Sequence, residues 1–246
     1  MTPSPPRRLA VLSDPHGNLE ALTSVLADME SQGADGAICL GDAIGYGPEP
    51  EAVVELLRAR SIPMVLGNHE HGVADEAQMC RFNPQARQAL ERTACLLLPA
   101  TVHFLANLPH FLSLYGARFV HGCPPDRVNT YLFGVKDLAL AALFGRFPEK
   151  ICFVGHTHEL ALVVFNGTRA WREDLPETLQ LEPGLRYIVN VGAVGQPRDG
   201  DNRAKYVLWE PEAGTVTVRR VAYDIQKTVD RMQELGLPQI YADRLW

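Results

Sequence analysis

An α/β protein with two sheets and helices on their outer faces is the fold class the sequence predicts. The first third alternates short apolar strands with amphipathic helices, the pattern of parallel pairing with both faces covered. The last third changes to hairpin and meander texture. Throughout, apolar runs stop abruptly at Asp, Asn or His, most of them beside a glycine.

Leu9 to Leu12 is the first strand-like run, and Ser13-Asp14-Pro15-His16-Gly17-Asn18 follows it. From Asn18 to Gln32 the apolar positions Leu19, Leu22, Val25, Leu26 and Met29 have helical spacing, with Asn18 as cap and Gly33 as terminator. Ala37 to Leu40 is a second strand, ending in Gly41-Asp42. A helix is expected from Pro50 to Arg60, then a third strand over Pro63 to Leu66, ending in Gly67-Asn68-His69-Glu70. Residues 72–108 read as a helical insertion. Asn83-Pro84 opens one helix there, and Thr101 to Ala106 is another. The insertion is either a packing layer or a lid, and the two roles are compatible.

Phe111 to Leu114 and Arg118 to Val120 read as a hairpin ending in His121-Gly122, and Asp137 to Phe144 as a short helix. Ile151 to Val154 is a buried-type strand ending in Gly155-His156-Thr157-His158. Asn166-Gly167 then marks a hairpin between Leu160–Phe165 and Thr168–Arg172. Tyr187 to Gly192 is one more strand end. Lys205–Glu210 and Thr215–Ala222 form a meander, and Asp224 caps a last amphipathic helix. Repeats and linkers are missing, so residues 1–246 are expected to form one domain.

With 46% hydrophobic and 21% charged residues, the composition is that of a globular chain. The net charge of −6 argues against a stable nucleic-acid complex, which needs a basic footprint. Five cysteines without a C-x-x-C pair, most in apolar runs, read as core thiols of a reduced, cytoplasmic protein. The proline-rich start, Met1 to Arg8, has no signal-peptide character, and no run is long enough to span a membrane.

The strand ends collect Asp14, His16, Asp42, Asn68, His69, His121, His156 and His158. Five of the eight histidines fall in this set; His71, His103 and His110 read as surface or lid residues. Clustered imidazoles would repel when protonated and lack partners when neutral, so a metal is the expected occupant. Imidazole mixed with hard oxygen suits Mn, Fe, Zn or Co better than Mg or Ca. The donors exceed what one ion needs. Two divalent transition-metal ions sharing a carboxylate would use them, with a hydroxide between the ions as nucleophile for phosphoester hydrolysis.

The order D-x-H, G-D, G-N-H-E, H-G and G-H-x-H resembles the calcineurin-like metallophosphoesterases, from Asp14 to Arg198. The resemblance implies that family's αββα sandwich. It implies Asp14, His16, Asp42 and His158 on one ion, and Asp42, Asn68, His121 and His156 on the other, with Asp42 bridging. It leaves His69 as the catalytic imidazole that stabilises or protonates the leaving oxygen. Gly41 to Pro48 and Asn190 to Arg198 look like the small prokaryotic phosphodiesterase branch. The Ser/Thr phosphatase branch and the related tetraphosphatases carry Asp-Arg where this chain has Gly45-Tyr46. The implied activity is phosphodiester hydrolysis of a small, nucleotide-like substrate. Dinucleoside polyphosphate hydrolysis and a non-catalytic scaffold on the same fold are the alternatives. Arg198 could hold a substrate phosphate or pair with Asp199 or Asp201, while Arg81, Arg87 and Arg92 read as a solvated face.

Overall fold

The computed structural model describes residues 5–246, so Met1 to Ser4 of the proline-rich start lie outside the described residues. The first sheet holds five strands, β1 (Leu9–Leu12), β2 (Gly36–Cys39), β8 (Thr178–Gln180), β10 (Ala204–Glu210) and β11 (Thr215–Val221), ordered β2-β1-β10-β11-β8. The second holds six, β3 (Phe111–Leu114), β4 (Ala117–Val120), β5 (Ile151–Val154), β6 (Leu160–Phe165), β7 (Ala170–Glu173) and β9 (Arg186–Val191), ordered β3-β4-β5-β9-β6-β7. Both sheets are mixed. β1–β2 and β4–β5–β9 pair in parallel, and the hairpin and meander strands pair antiparallel around them.

Helices cover the outer faces: α1 (Leu19–Ser31), α2 (Pro50–Ala59), α3 (Asn68–Ala74), α4 (Glu76–Met79), α5 (Pro84–Cys95), α6 (Pro99–Ala106), α7 (Asp137–Phe144), α8 (Ile225–Glu234) and α9 (Gln239–Asp243). Alternate residues of one strand serve two cores, which is why the parallel strands are apolar throughout. Leu9 and Val11 face the layer between the sheets, with Phe119, Phe153, Val189 and Trp209. Ala10 and Leu12 face α1 and α2 through Leu22, Val25 and Val53. On the far side, Cys152, Val154 and Ile188 meet Leu140 and Phe144 of α7.

Local chemistry sets the boundaries. The Asn18 side chain accepts the Ala21 N–H at 3.1 Å and Asn83 that of Ala86 at 2.9 Å, both as N-caps. Tyr115 and Gly116 turn the β3–β4 hairpin at φ 56° and 78°, the mirror-type turn a two-residue loop favours.

Three elements differ from expectation. Pro63 to Leu66 makes only an isolated parallel bridge, Cys39 to Met64, because Pro63 has no N–H for a ladder. β8 and α9 were not foreseen; they have three and five residues and little periodicity of their own. Of the five cysteines, Cys39, Cys123 and Cys152 are buried, whereas Cys80 and Cys95, in the insertion, are exposed. Among the described residues, no helix is long and apolar enough to cross a membrane.

Candidate metal centre

The carboxyl ends of β1 and β2 in one sheet and of β4 and β5 in the other meet on a common rim. The Gly155 N–H donates to the His121 carbonyl at 2.8 Å, and the Asp14 N–H to that of Gly41 at 3.0 Å. The turns off these strands bring Asp14, His16, Asp42, His121, His156 and His158 together, and all six are buried. Asn68 and His69 arrive differently. They lie on the first turn of α3 and not on a strand end.

The turns are tight enough to need unusual backbone. Of the eight non-glycine residues at positive φ among the described residues, six are here: Asp14, His16, Asp42, Tyr46, His156 and His158, between 47° and 68°. Each such residue costs of order 1–3 kcal/mol, and clustering of this kind marks functional sites. Glycine serves close approach. A Cβ on Gly67 would lie 2.2 Å from Asp42 Oδ1, and one on Gly155 would lie 2.6 Å from Asp14 Oδ2.

Three imidazoles are oriented by backbone carbonyls. Nδ1 of His16, His121 and His158 donates to the carbonyls of Ile44 (2.8 Å), Leu40 (2.9 Å) and Gln196 (2.6 Å). A carbonyl can only accept, so each Nδ1 carries a proton, and Nε2, the nitrogen turned inward, is the one that can present a lone pair to a metal. His16 Nε2 and His158 Nε2 stand 3.0 Å apart, and His158 Nε2 is 3.3 Å from Asp14 Oδ1, which has no hydrogen-bond partner. His121 Nε2 stands 3.1 Å from His156 Nδ1, 3.0 Å from Asn68 Oδ1 and 3.3 Å from Asp42 Oδ2. Lone pairs and a bare carboxylate oxygen aimed at one another are repulsive until a cation lies between them. The donor set therefore fits a metal.

The donors fall into overlapping groups, each with its atoms within 4.8 Å of one another. Asp14, His16 and His158 form one; Asp42, His121 and His156 another; His16, Asp42 and His69 a third. The first two each hold three of the four residues that the resemblance implies for one ion. The third puts His69 near the cluster, although its Nε2 is 4.0 Å from Asp42 Oδ2. Burial and neighbouring imidazoles push His69 down to about 4, against the pull of Asp42. Burial opposes the charge on Asp42, but His121 and His69 beside it hold its carboxyl well below the usual range.

Several residues at the site have no role assigned from the sequence, although Glu70, Tyr46 and Asn190 lie within its motifs. Glu70 accepts the backbone N–H groups of Asp42 (2.8 Å), Gly67 (3.0 Å) and Ile44 (3.3 Å), tying the loop after β2 to the start of α3. Burial, then the Asp42 charge, raises its carboxyl to about 7. Tyr131 stacks on His156 at 3.9 Å, and the Tyr46 ring lies 4.8 Å from His16 and 4.7 Å from His69. The Gly45-Tyr46 pair could have flagged Tyr46; Tyr131 sits in an irregular stretch with no periodicity. Asn190 donates to the Gly155 carbonyl and Thr157 Oγ1, both at 2.8 Å, bracing the loop of His156 and His158.

A cavity of about 280 Å³ opens over the cluster. Asp42, His69, His156 and Arg198 line it, together with Phe82 and Arg81 from the insertion. Arg81 is exposed, as expected of a solvated face, and also reaches the cavity. Phe82 packs edge-on to His69 at 5.2 Å, while Leu90 of α5 is fully buried in the core beside Gly72 of α3, so the insertion both packs and covers. Arg198 does not pair with its neighbouring acids. Asp199 is taken by Lys205 at 2.8 Å and Asp201 by Arg203 at 2.5 Å. Arg198 instead donates to Gln196 Oε1 at 3.0 Å and faces the cavity. His71, His103 and His110 stay out of the cluster.

A family model described as a calcineurin-like phosphoesterase superfamily domain matches residues 8–214. An uncharacterised protein of Methanocaldococcus jannaschii is 33% identical over 245 residues, 97% of each chain. The crystal structure of a metallophosphoesterase from Sphaerobacter thermophilus aligns with a TM-score of 0.81 at 37% identity, covering 97% of each chain. A hypothetical protein from Pyrococcus horikoshii aligns at 0.79 with 19% identity and 97% coverage of each chain, a likeness of fold.

Proposed function

The chain belongs to the calcineurin-like phosphoesterase superfamily, and on that premise we propose that it hydrolyses a phosphodiester with the help of two divalent transition-metal ions. Asp14, His16, Asp42 and His158 would hold one ion, and Asp42, Asn68, His121 and His156 the other. One observation carries the reading: Asp42 Oδ2 lies 3.3 Å from His121 Nε2 and 3.7 Å from His16 Nε2, between the two convergent groups. Imidazole with carboxylate and amide oxygen favours Mn, Fe, Zn or Co. Such ions supply Lewis acidity, polarising phosphoryl oxygens and acidifying water at neutral pH.

The chain's own residues do the rest. Arg198 is free of carboxylate partners and faces the cavity, so its guanidinium can clamp a phosphoryl oxygen. His69, on the first turn of α3, faces the same cavity from beside Asp42. Its imidazole is the group that hands a proton to the departing oxygen. An anionic phosphate next to His69 favours the protonated ring, offsetting burial. Tyr131, Tyr46 and Phe82 wall the histidines and limit water.

The substrate is proposed to be small and nucleotide-like. Turnover of bis(p-nitrophenyl) phosphate after chelation and reloading with Mn tests the reading. Hydrolysis that vanishes and returns supports it. Bound metal without turnover of any ester would indicate a scaffold.

A further inference from the structure

Beside the cluster lies a second cavity of about 440 Å³ that the proposed chemistry does not use. It adjoins the first, sharing Tyr46, Asn83, Tyr131 and Arg198 as common walls. Its far wall comes from the C-terminal segment, through Tyr241 of α9, Arg244 and Trp246. Its size is that of a small-molecule site.

Its lining has an order. The Arg198 guanidinium stands 5.9 Å over the Tyr46 ring, the Tyr46 and Tyr241 rings are 5.1 Å apart, and the Arg244 guanidinium stands 5.8 Å over the Tyr241 ring. The two guanidiniums thus cap an aromatic pair in which Tyr241 is itself buried, which leaves Trp246, 65% exposed, as the open aromatic ring of this wall. Neither arginine has a carboxylate partner among the described residues. Asp201, the acid on this wall, is neutralised by Arg203. The cavity is therefore electropositive and aromatic, with Asn83, Gln85 and Asn202 as amide partners.

We propose that this cavity binds the far half of the substrate: a nucleobase against the exposed Trp246 ring and a second phosphate at Arg244. Aromatic faces accept any base, and guanidinium suits phosphate. The inference rests on the phosphoesterase reading, because it places the scissile phosphate in the adjoining cavity. The second phosphate can belong to a linear polyphosphate or to a separate position on the ribose.

Calorimetric titration of the full chain in Mn-containing buffer tests it. The ligands are AMP, α,β-methylene-ADP (uncleavable), adenosine 3′,5′-bisphosphate and inorganic pyrophosphate. One of the two bisphosphorylated nucleosides should bind about tenfold more tightly than AMP, the worth of a charge-assisted hydrogen bond. The better ligand identifies where the second phosphate sits. Pyrophosphate should bind more weakly than that ligand. Arg244→Ala should erase the advantage over AMP and Arg244→Lys restore part of it; Arg244 is exposed, so both variants should fold. Equal binding of AMP and both bisphosphates, or an advantage that survives Arg244→Ala, would overturn the assignment. Pyrophosphate binding as tightly as the better nucleotide would overturn the base site. Turnover of bis(p-nitrophenyl) phosphate, run in parallel, reports on the hydrolase reading alone.

Discussion

At Asp42 one carboxylate faces several partners. Oδ2 looks toward His121 and His16, and Oδ1 accepts the His69 N–H at 2.9 Å. Asp42→Asn removes the charge two cations would share and keeps the shape. Loss of an outer partner to a metal ligand typically costs 10–100-fold, so loss of the shared ligand should cost more than about a hundredfold in turnover. Elemental analysis should find both ions depleted; wild-type metal content and rate would exclude the bridging role. His69 is expected to behave otherwise. His69→Ala should keep its metals and slow a nucleoside diester by about 10²–10⁴-fold, and a nitrophenyl diester far less, since nitrophenolate leaves without a proton. Kinetics on the two esters check this, and equal slowing would make His69 a phosphate-orienting group instead.

The elements that hold these residues are themselves clamped by polar contacts. Asp28 of α1 accepts from Arg219 of β11 (2.8 and 3.0 Å) and from the Tyr206 hydroxyl of β10 (2.7 Å), tying the helix to the first sheet. The Arg219 hydrogen bonds hold the Asp28 carboxyl below its ordinary 3.8. A folded-state value below the unfolded one means a contribution present above 3.8 and lost as pH falls through the folded value. Asp28→Asn should lower stability at pH 7 by about 1 kcal/mol, or roughly 2–4 °C, and the gap should close below about pH 4. Thermal melts of both proteins across that range check it; a gap that persists in acid would mean the ionised form is not what matters.

Most of this scale was legible in the sequence. Asn18, Asn83 and Asp224 cap the helices they were expected to cap, and Asn166-Gly167 turns the β6–β7 hairpin. Strand-end donors stood out because a buried apolar run rarely ends in Asp or His for packing reasons. Tyr131 over His156 and the α9 wall were not legible. Each depends on which distant segment folds onto the rim, and a side chain such as Tyr131 reads locally like any loop tyrosine. Arg198 was ambiguous for the same reason, until Lys205 and Arg203 were seen to occupy the competing acids.

For the whole molecule, the strained turns and facing lone pairs on the rim disfavour the folded state when no cation is present. Ions bound to the native fold alone stabilise it by mass action. Chelation should therefore lower the melting temperature, and Mn should restore it; an unchanged melt would mean the cluster holds no ion. The central claim is that two ions sharing Asp42 carry phosphodiester hydrolysis. Titrating metal-free protein with Mn while following bis(p-nitrophenyl) phosphate turnover tests it most directly. No turnover is expected at the start, then a rise with added metal and saturation near about two equivalents per chain. Full turnover in thoroughly metal-free protein would contradict it.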